Sequence, residues 1–189
     1  MAFEGYSTKQ SVVLVYTGEG KGKTSAAVGL MARALGNGWQ VAIIQFIKHW
    51  TVGEHNFIAD IQPIYAKKLF FYKGGKGFYN AGEISAQDVT PEEHRIAAEL
   101  TFETAMRCAS SGEYNLVICD EINNAVHDGL LSVKDMAALI RQRNSKTSLC
   151  LTGRNFPKAL LKKADIATEM RKIKHHFDDQ YLANQGIDF

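Results

Sequence analysis

Short apolar runs alternate along the chain with stretches in which apolar residues recur at helical spacing. An apolar run bounded by turn-forming residues is typical of a strand that is buried on both faces of a sheet. The strands predicted on this basis lie at residues 12–16, 41–46, 69–72, 116–119, 148–151 and 166–168.

Helical signals fill most of the intervals between these strands. Val28, Met31 and Leu35 recur at helical spacing after Lys23, and Gly36 supplies a stop for this first helix. Further helices are predicted at residues 132–141 and just after Pro157. The interval between the second and third strands contains Gly53, Glu54 and Pro63, and it predicts irregular structure.

The clearest helix start is the segment Thr90-Pro91-Glu92-Glu93. Threonine can cap the helix, proline suits the first helical position, and the second glutamate can reach back to the cap. The helix is predicted to run to about residue 110 and to end near Gly112.

Strands that alternate with amphipathic helices predict an α/β fold, with a mostly parallel sheet and helices on both faces. The length of 189 residues fits a single domain over residues 1–189, with residues 1–10 as a flexible N-terminal segment. No repeat or linker divides the chain.

The overall charge and the cysteines narrow the class of protein. Twenty-two basic residues face 20 acidic ones, and this near-neutral balance does not favour nucleic acid as a partner. Three widely spaced cysteines in apolar runs predict buried thiols and a cytoplasmic protein. No segment is apolar over the roughly 18 residues that a membrane helix needs, so no membrane partner is expected. The cysteines are Cys108, Cys119 and Cys150.

Lysines and aromatic residues are mixed around the third strand, which could indicate a platform for single-stranded nucleic acid. We favour a strand whose lysines form a solvated face, because the net charge is small. The residues concerned are Lys67, Lys68, Phe70, Phe71, Tyr72, Lys73 and Lys76. His175 and His176 are adjacent and cannot form a helical metal pair, so structural roles are expected for them.

A glycine-rich segment joins the first strand to the first helix. In that position, backbone N–H groups and the helix N-terminus can converge on a phosphate, a lysine can bind the outer phosphates, and a threonine hydroxyl can ligate Mg²⁺. The segment reads Gly18-Glu19-Gly20-Lys21-Gly22-Lys23-Thr24. The common P-loop has glycine where this chain has Thr17, so the loop is one residue short. The alternative is a glycine-rich turn that matches by chance.

Two carboxylates follow the fourth strand. Asp120 and Glu121 come directly after the apolar run, which delivers them to the carboxyl edge of the sheet beside the P-loop. They can hold the metal of a bound nucleotide, and the alternative is a solvated strand end.

Several further segments, taken in order, resemble the CobA-type ATP:corrinoid adenosyltransferases, and the resemblance extends from the first strand to the C-terminus. The short P-loop is itself a feature of that family. The segments are Tyr16-Thr17-Gly18 through Thr24, Arg33-Ala34, Gln45-Phe46-Ile47-Lys48, Gly53-Glu54, Gly77-Phe78, Asp120-Glu121-Ile122-Asn123, Leu151-Thr152-Gly153-Arg154, Thr168-Glu169-Met170, Lys174-His175 and Gln185-Gly186-Ile187-Asp188-Phe189.

The resemblance implies a P-loop NTPase-like (RecA-like) fold. It also implies transfer of the 5′-deoxyadenosyl group of ATP to the cobalt of a reduced corrinoid, with triphosphate as the leaving group. ATP is then expected in reverse orientation in the P-loop. Cobalt(I) is the nucleophile, so the protein needs no nucleophilic side chain of its own and must position the reactants and stabilise the departing charge.

The resemblance also assigns roles to particular residues. Catalytic roles fall to Lys23, Thr24, Glu121 and Arg154, with Mg²⁺ held by Thr24 and Glu121. ATP binding falls to the loop residues 18–24 and to Arg33. Without the resemblance, a surface ion pair is the alternative for Arg154.

The corrinoid side is expected to be an apolar wall that excludes an axial ligand of cobalt. Phe78 matches the family's phenylalanine, Tyr79 follows it, and Asn80 stands where the family usually has tryptophan. The following segment, residues 81–90, is longer than usual in the family.

The resemblance further implies a homodimer and a flavoprotein as reductant. Two competing functions use the same P-loop. One is an ATPase or kinase that acts at the γ-phosphate, and the other is a non-catalytic ATP-binding switch. The complete set of family segments favours adenosyl transfer over both.

Overall fold

The computed structural model describes residues 4–79 and 88–189. Asn80 and most of the long segment after it therefore lie outside the described residues. Six parallel strands form one sheet in the order β3-β2-β4-β5-β1-β6. The strands are β1 (Val13–Thr17), β2 (Val41–Gln45), β3 (Leu69–Lys73), β4 (Leu116–Asp120), β5 (Ser148–Thr152) and β6 (Ile166–Glu169). The predicted α/β class and all six predicted strands are confirmed.

Among the described residues, five α-helices lie in the connections between strands. They are α1 (Lys23–Gly36), α2 (Gly53–Ile61), α3 (Pro91–Ser111), α4 (Ile122–His127) and α5 (Val133–Gln142). Shorter 3₁₀ helices cover Lys158–Lys163 and His176–Asp179. In residues 4–79 and 88–189, no helix is long and apolar enough to cross a bilayer.

Each face of the sheet has its own apolar core, because successive side chains of a strand point to opposite faces. On one face Leu14, Ile43 and Ile118 pack with α1 and with Ile58 of α2. On the other face Val15 and Ile44 belong to the core that is formed with α3, α4 and α5. Burial on both faces explains why the strands appear in the sequence as continuous apolar runs. Cys108, Cys119 and Cys150 are free and buried, as predicted.

The start of α3 matches its sequence signal in detail. The Glu93 N–H donates to the Thr90 hydroxyl oxygen at 3.2 Å, and the Thr90 N–H donates to Glu93 Oε2 at 2.8 Å. Gly112 ends the helix in a left-handed conformation with φ of 77°. These local contacts confirm the predicted capping box and stop.

The prediction of irregular structure between β2 and β3 is wrong, because α2 occupies residues 53–61. This helix has Val52 at its cap, which has no side-chain acceptor. Its first turn is closed instead by the ring of His55, whose Nδ1 accepts from the Val52 N–H at 3.3 Å. The six-residue α4, which follows β4 almost at once, was also not predicted.

Candidate active site

The carboxyl ends of the strands bring the candidate site residues to one edge of the sheet. Because every strand is parallel, the loops that follow them emerge at that edge. Thr17 leads into the P-loop, Gln45 leads to Lys48, and Thr152 leads to Arg154. Gln45 and Asp120 are opposite each other in the register of β2 and β4.

Thr17 has a definite place in the shortened P-loop. It is the last residue of β1, and its hydroxyl oxygen accepts from the Phe156 N–H at 3.2 Å. Its backbone carbonyl accepts from the Met170 N–H at 2.8 Å. The position that is glycine in the common motif is therefore part of the strand in this chain.

The first half of the P-loop packs against the backbone that follows β6. The Gly20 N–H donates to the Met170 carbonyl oxygen at 2.6 Å, and a Cβ on Gly20 would lie only 2.7 Å from that oxygen. Gly18 meets the same backbone and has φ of 98°. These two glycines are therefore required by the close approach of two chain segments, as well as by any bound anion.

The Lys23 ammonium group lies across the P-loop at the start of α1. It donates to the carbonyl oxygens of Gly18 at 2.7 Å and Gly20 at 2.6 Å. Burial, followed by the nearby Arg154 guanidinium, lowers the pKa of Lys23 below its usual value. Two cations near the same loop produce a positive electrostatic potential there, which would favour the binding of a polyphosphate.

Arg154 reaches the loop from the end of β5. Its Nη1 lies 3.3 Å from Glu19 Oε2, and both side chains are exposed. Its N–H donates to Asn124 Oδ1 at 2.6 Å, which ties the segment to α4. The preceding Gly153 has φ of 125°, and a Cβ there would lie 2.7 Å from the same Asn124 oxygen.

Asp120 is the most enclosed charged group of the site, with no exposed surface. The Thr24 hydroxyl lies 3.1 Å from Asp120 Oδ1 and 3.3 Å from Oδ2, and the Thr152 hydroxyl donates to Oδ1 at 2.7 Å. The aspartate of the Asp120-Glu121 pair is thus the one in direct contact with Thr24.

Glu121 has an unusual backbone conformation for a residue with a side chain, with φ of 64°. Its N–H donates to Thr152 Oγ1 at 2.9 Å, and its Oε2 accepts from Asn124 Nδ2 at 3.0 Å. Burial and the adjacent Asp120 carboxylate raise the pKa of Glu121 to about 7. A left-handed non-glycine residue costs on the order of 1 kcal/mol and occurs often at functional sites.

Lys48 is a further cation of the site, for which the sequence predicts no role. Its Nζ lies 2.5 Å from Glu54 Oε1, 3.5 Å from Thr24 Oγ1 and 3.9 Å from Asp120 Oδ2. Burial by itself lowers the pKa of Lys48, but the Asp120 and Glu54 carboxylates outweigh it and raise the pKa. The available signal for this residue was its position just after an apolar strand, β2, whose carboxyl end lies at the same edge of the sheet as the P-loop.

The oxygen atoms gathered around Thr24 fit a magnesium ion. Thr24 contributes a hydroxyl and Asp120, which it contacts, contributes a carboxylate, and both are hard ligands of the kind that Mg²⁺ prefers. Glu121, the predicted carboxylate ligand, is the next residue along the chain, and its role stays a prediction. In the part of the chain that the structure describes, no three acidic, histidine or cysteine side chains group into a full metal cage. Substrate phosphates and water usually complete such a site.

Two predicted site residues lie apart from this group. Arg33 is exposed in the last turn of α1, about 13 Å along the helix axis from Thr24 at 1.5 Å per residue. Lys21 points to the C-terminal segment, where its Nζ lies 2.5 Å from Asp188 Oδ1. The roles assigned to both residues stay predictions.

The aromatic residues form a second part of the site. The rings of Trp50 and Phe78 are 4.8 Å apart between centroids, and those of Tyr79 and His94 are 5.2 Å apart. Trp50, which sequence reasoning did not select, is 38% exposed. It follows Lys48 by two residues, so their Cα atoms are at most about 7 Å apart.

The residues described above define a P-loop nucleotide-binding protein of the α/β class. A strand, a glycine loop and a helix with Lys23 and Thr24 lie beside an acidic strand end on the same edge of a parallel sheet. A family model described as ATP:corrinoid adenosyltransferase BtuR/CobO/CobP matches residues 9–189. The chain therefore belongs to the ATP:corrinoid adenosyltransferase family, as the sequence motifs indicated.

Individual relatives agree with the family model. The chain is 31% identical to a corrinoid adenosyltransferase of Pseudomonas aeruginosa, over 96% of this chain and 85% of that protein. It is 30% identical to a corrinoid adenosyltransferase of Escherichia coli strain K12, over 96% of this chain and 87% of that protein.

A solved structure resembles the fold. The crystal structure of the flagellar accessory protein FlaH from Methanocaldococcus jannaschii aligns with a TM-score of 0.55 and 15% identity. The alignment covers 88% of this chain and 74% of that one. At this identity the likeness concerns the fold alone.

Proposed function

We propose that this protein transfers the 5′-deoxyadenosyl group of ATP to the cobalt(I) of a reduced corrinoid and releases triphosphate. The observation that carries the proposal is that the connection after β2 contributes both to the group around Thr24 and to the aromatic rings, in a chain of this family. Lys48 lies 3.5 Å from Thr24 Oγ1, and Trp50, two residues later, packs on Phe78. A nucleotide held in the loop would therefore have its sugar within reach of a flat apolar ligand.

Lys23, Arg154 and the amides of the P-loop would hold the triphosphate and stabilise the charge that develops as C5′ leaves it. Thr24, Asp120 and Glu121 would hold Mg²⁺. A bound magnesium ion would neutralise part of the triphosphate charge and so make triphosphate a better leaving group. Phe78, Tyr79 and Trp50 would shield one face of the corrinoid from water and from an axial ligand. Asn80, also assigned to this wall, lies outside the described residues.

No protein nucleophile is required by this scheme, because cobalt(I) supplies the electron pair of the new bond to C5′, and the pair of the broken C5′–O bond leaves with the triphosphate oxygen. The three cysteine thiols are buried, and burial raises the pKa of both Cys119 and Cys150. Such thiols are poor nucleophiles. The residues of the site would therefore act by positioning and by electrostatics.

Three expectations outside the site rest on the family resemblance. The protein would act as a homodimer, receive electrons for cobalt from a reduced flavoprotein, and be cytoplasmic. The free, buried cysteines support a reducing compartment.

The test is to incubate the protein with MgATP and chemically reduced cobalamin and to analyse both products. We expect a light-sensitive adenosylated corrinoid and one equivalent of intact triphosphate. Formation of ADP with an unchanged corrinoid would instead identify an enzyme that acts at the γ-phosphate. Nucleotide binding with neither product would identify a binding module.

A further inference from the structure

A chain of buried polar side chains runs from α2 to the metal side of the P-loop. His55 Nε2 lies 2.5 Å from Gln45 Oε1, and Gln45 Nε2 donates to Asp120 Oδ2 at 3.0 Å. Gln45 and Asp120 have no exposed surface, and His55 is 8% exposed. The three residues come from α2, β2 and β4, so only the folded sheet brings them together.

The direction of each hydrogen bond follows from its neighbours. The Val52 N–H donates to His55 Nδ1, so this nitrogen is the acceptor and Nε2 carries the proton of a neutral ring. Nε2 then donates to the Gln45 oxygen, and the Gln45 amide group donates to Asp120. Every donor meets an acceptor, and the chain delivers a neutral donor to the carboxylate.

The two oxygens of Asp120 are therefore held by neutral donors from opposite sides. Gln45 binds Oδ2, and the Thr152 hydroxyl binds Oδ1 at 2.7 Å. A carboxylate has about four lone-pair positions, so two remain for Thr24 and for a metal ion. These two donors are uncharged and restrict rotation of the carboxylate plane; the cation that faces Asp120 is Lys48, whose Nζ lies farther away, 3.9 Å from Oδ2.

A role in the site explains this arrangement better than a role in packing. Buried polar groups stabilise a fold only when they are fully paired. Apolar side chains of the same size would fill the space between β2 and α2 without the cost of an unpaired polar group. The polar chain has one charged end, Asp120, and that end contacts the P-loop threonine.

We propose that His55 and Gln45 are positioning residues of the metal–nucleotide site: held from α2, they set the orientation of the Asp120 carboxylate toward Thr24. Neither residue touches the nucleotide in this scheme. The proposal rests on the proposed function only for the identity of the ligand, which is a divalent metal with ATP.

The first measurement is the binding of Mn²⁺, as a spectroscopic substitute for Mg²⁺, in the presence of ATP and without corrinoid, by electron paramagnetic resonance. Gln45→Met keeps the length of the side chain but removes both hydrogen bonds, and we expect Mn²⁺ affinity to fall about 10- to 100-fold. His55→Phe keeps a ring that can pack on Phe71 but leaves Gln45 without its donor, and we expect a smaller loss. The KM for MgATP should rise, while the KM for corrinoid should not.

Thr147→Val is the matched control. Thr147 is also fully buried, and its hydroxyl donates to the Tyr114 carbonyl oxygen at 2.7 Å, just before β5 at the opposite edge of the sheet. This variant loses a comparable hydrogen bond away from the site and should bind Mn²⁺ and ATP like the wild type. Thermal unfolding of all variants checks that they are folded.

Wild-type Mn²⁺ affinity in folded Gln45→Met would overturn the proposal. So would an equal loss in Thr147→Val, because it would show a general effect of destabilisation. If Gln45→Met does not fold, the test rests on His55→Phe. A wild-type Mn²⁺ affinity in the His55→Phe variant would then overturn the proposal. A wild-type protein that yields no adenosylated corrinoid would refute the proposed function and leave the Mn²⁺ result to stand separately.

Discussion

The nucleotide side and the aromatic side of the candidate site differ in the origin of their residues and in their exposure to solvent. On the nucleotide side, Thr24 and Asp120 lie at the ends of a helix and a strand of the central sheet, and Asp120 is fully buried. On the aromatic side, Trp50, Phe78 and Tyr79 lie in the connections after β2 and β3; Trp50 is exposed, and Phe78 and Tyr79 are half-buried. The first group is held by hydrogen bonds, and the second by ring contacts.

This difference matches what each side would bind. A polyphosphate has constant charge and geometry, and donors placed on rigid elements stabilise it with little reorganisation. A corrinoid presents a broad flat face, and partly exposed rings on loops can adjust to it. We therefore expect substitutions on the nucleotide side to have larger and more specific effects.

The largest effect is expected for Lys23→Ala. This substitution removes the cation that lies across the P-loop, so kcat for adenosyl transfer should fall about 100- to 1,000-fold. Triphosphate release under single-turnover conditions measures the change. Lys146→Ala, which removes an exposed lysine at the other edge of the sheet, is the control and should retain full activity. Near-normal turnover by Lys23→Ala would remove this lysine from the mechanism.

Glu121→Gln should weaken Mg²⁺ binding in the presence of ATP by about 10- to 100-fold, because a neutral amide replaces a carboxylate ligand. A titration of activity against Mg²⁺ at fixed ATP measures the effect. Asp120→Asn keeps a similar shape at the neighbouring position and tests which of the two carboxylates binds the metal directly. An unchanged Mg²⁺ requirement in both variants would contradict the magnesium site.

Glu121 also predicts how the stability of the metal-free protein depends on pH. Its pKa is raised from 4.5 to about 7, so between these values the folded state binds more protons than the unfolded state. The free energy of unfolding should therefore fall as pH rises from about 4.5 to 7, with a contribution of at most about 1.4 kcal/mol per pH unit.

Urea unfolding of the wild type and Glu121→Gln at several pH values measures this contribution as a difference. The difference removes the titration of other groups. Parallel pH profiles for the two proteins would show that the Glu121 carboxyl is not perturbed by burial.

On the aromatic side, Phe78→Ala should raise the KM for corrinoid about tenfold and leave the KM for ATP unchanged. The ring contact with Trp50 is lost along with part of the apolar wall. Trp50→Ala should act in the same direction, and steady-state kinetics with each substrate varied in turn measure both. A change in the KM for ATP alone would place Phe78 on the nucleotide side and so remove the distinction between the two sides.

The two sides also differ in how far the sequence predicts them. The P-loop and the capping box at Thr90 are formed by neighbouring residues, so their chemistry is visible in a short segment. The aromatic pair Phe78 and Tyr79 came from resemblance to a family. The contact of Trp50 with Phe78 forms where the connections after β2 and β3 meet, and no pattern within either segment predicts it.

The features that the sequence did not predict also depend on contacts between residues of different elements or on an unusual helix start. Helix α2 was missed because its first turn is closed by the His55 ring rather than by a capping residue. The contacts of Gln45 and Lys48 with the site depend on the adjacency of β2 and β4, which are separated along the chain by 70 residues or more. The sequence predicts the strands, but the order of strands in the sheet decides which side chains meet.

The smallest effect is expected where the C-terminal segment meets the P-loop. Asp188 contacts Lys21, and this hydrogen bond, followed by one from the Asn184 N–H, lowers the pKa of Asp188 to about 2. Asp188→Asn removes the charge but leaves the loop and the metal ligands in place. We therefore expect kcat to stay within about threefold of wild type, because in this scheme the C-terminal segment packs against the P-loop but does not contact the bound nucleotide.

Hydrogen exchange provides the second readout for Asp188→Asn. The Asn184 N–H, which donates to Asp188 Oδ2 at 2.9 Å, and the Gly186 N–H, which donates to the Phe189 carbonyl oxygen at 2.8 Å, should both exchange faster. Faster exchange with preserved kcat would place the C-terminal segment outside the rigid part of the site. A loss of activity as large as that of Glu121→Gln would instead show that Asp188 belongs to the nucleotide side, since only a group that acts on the bound triphosphate would have so large an effect.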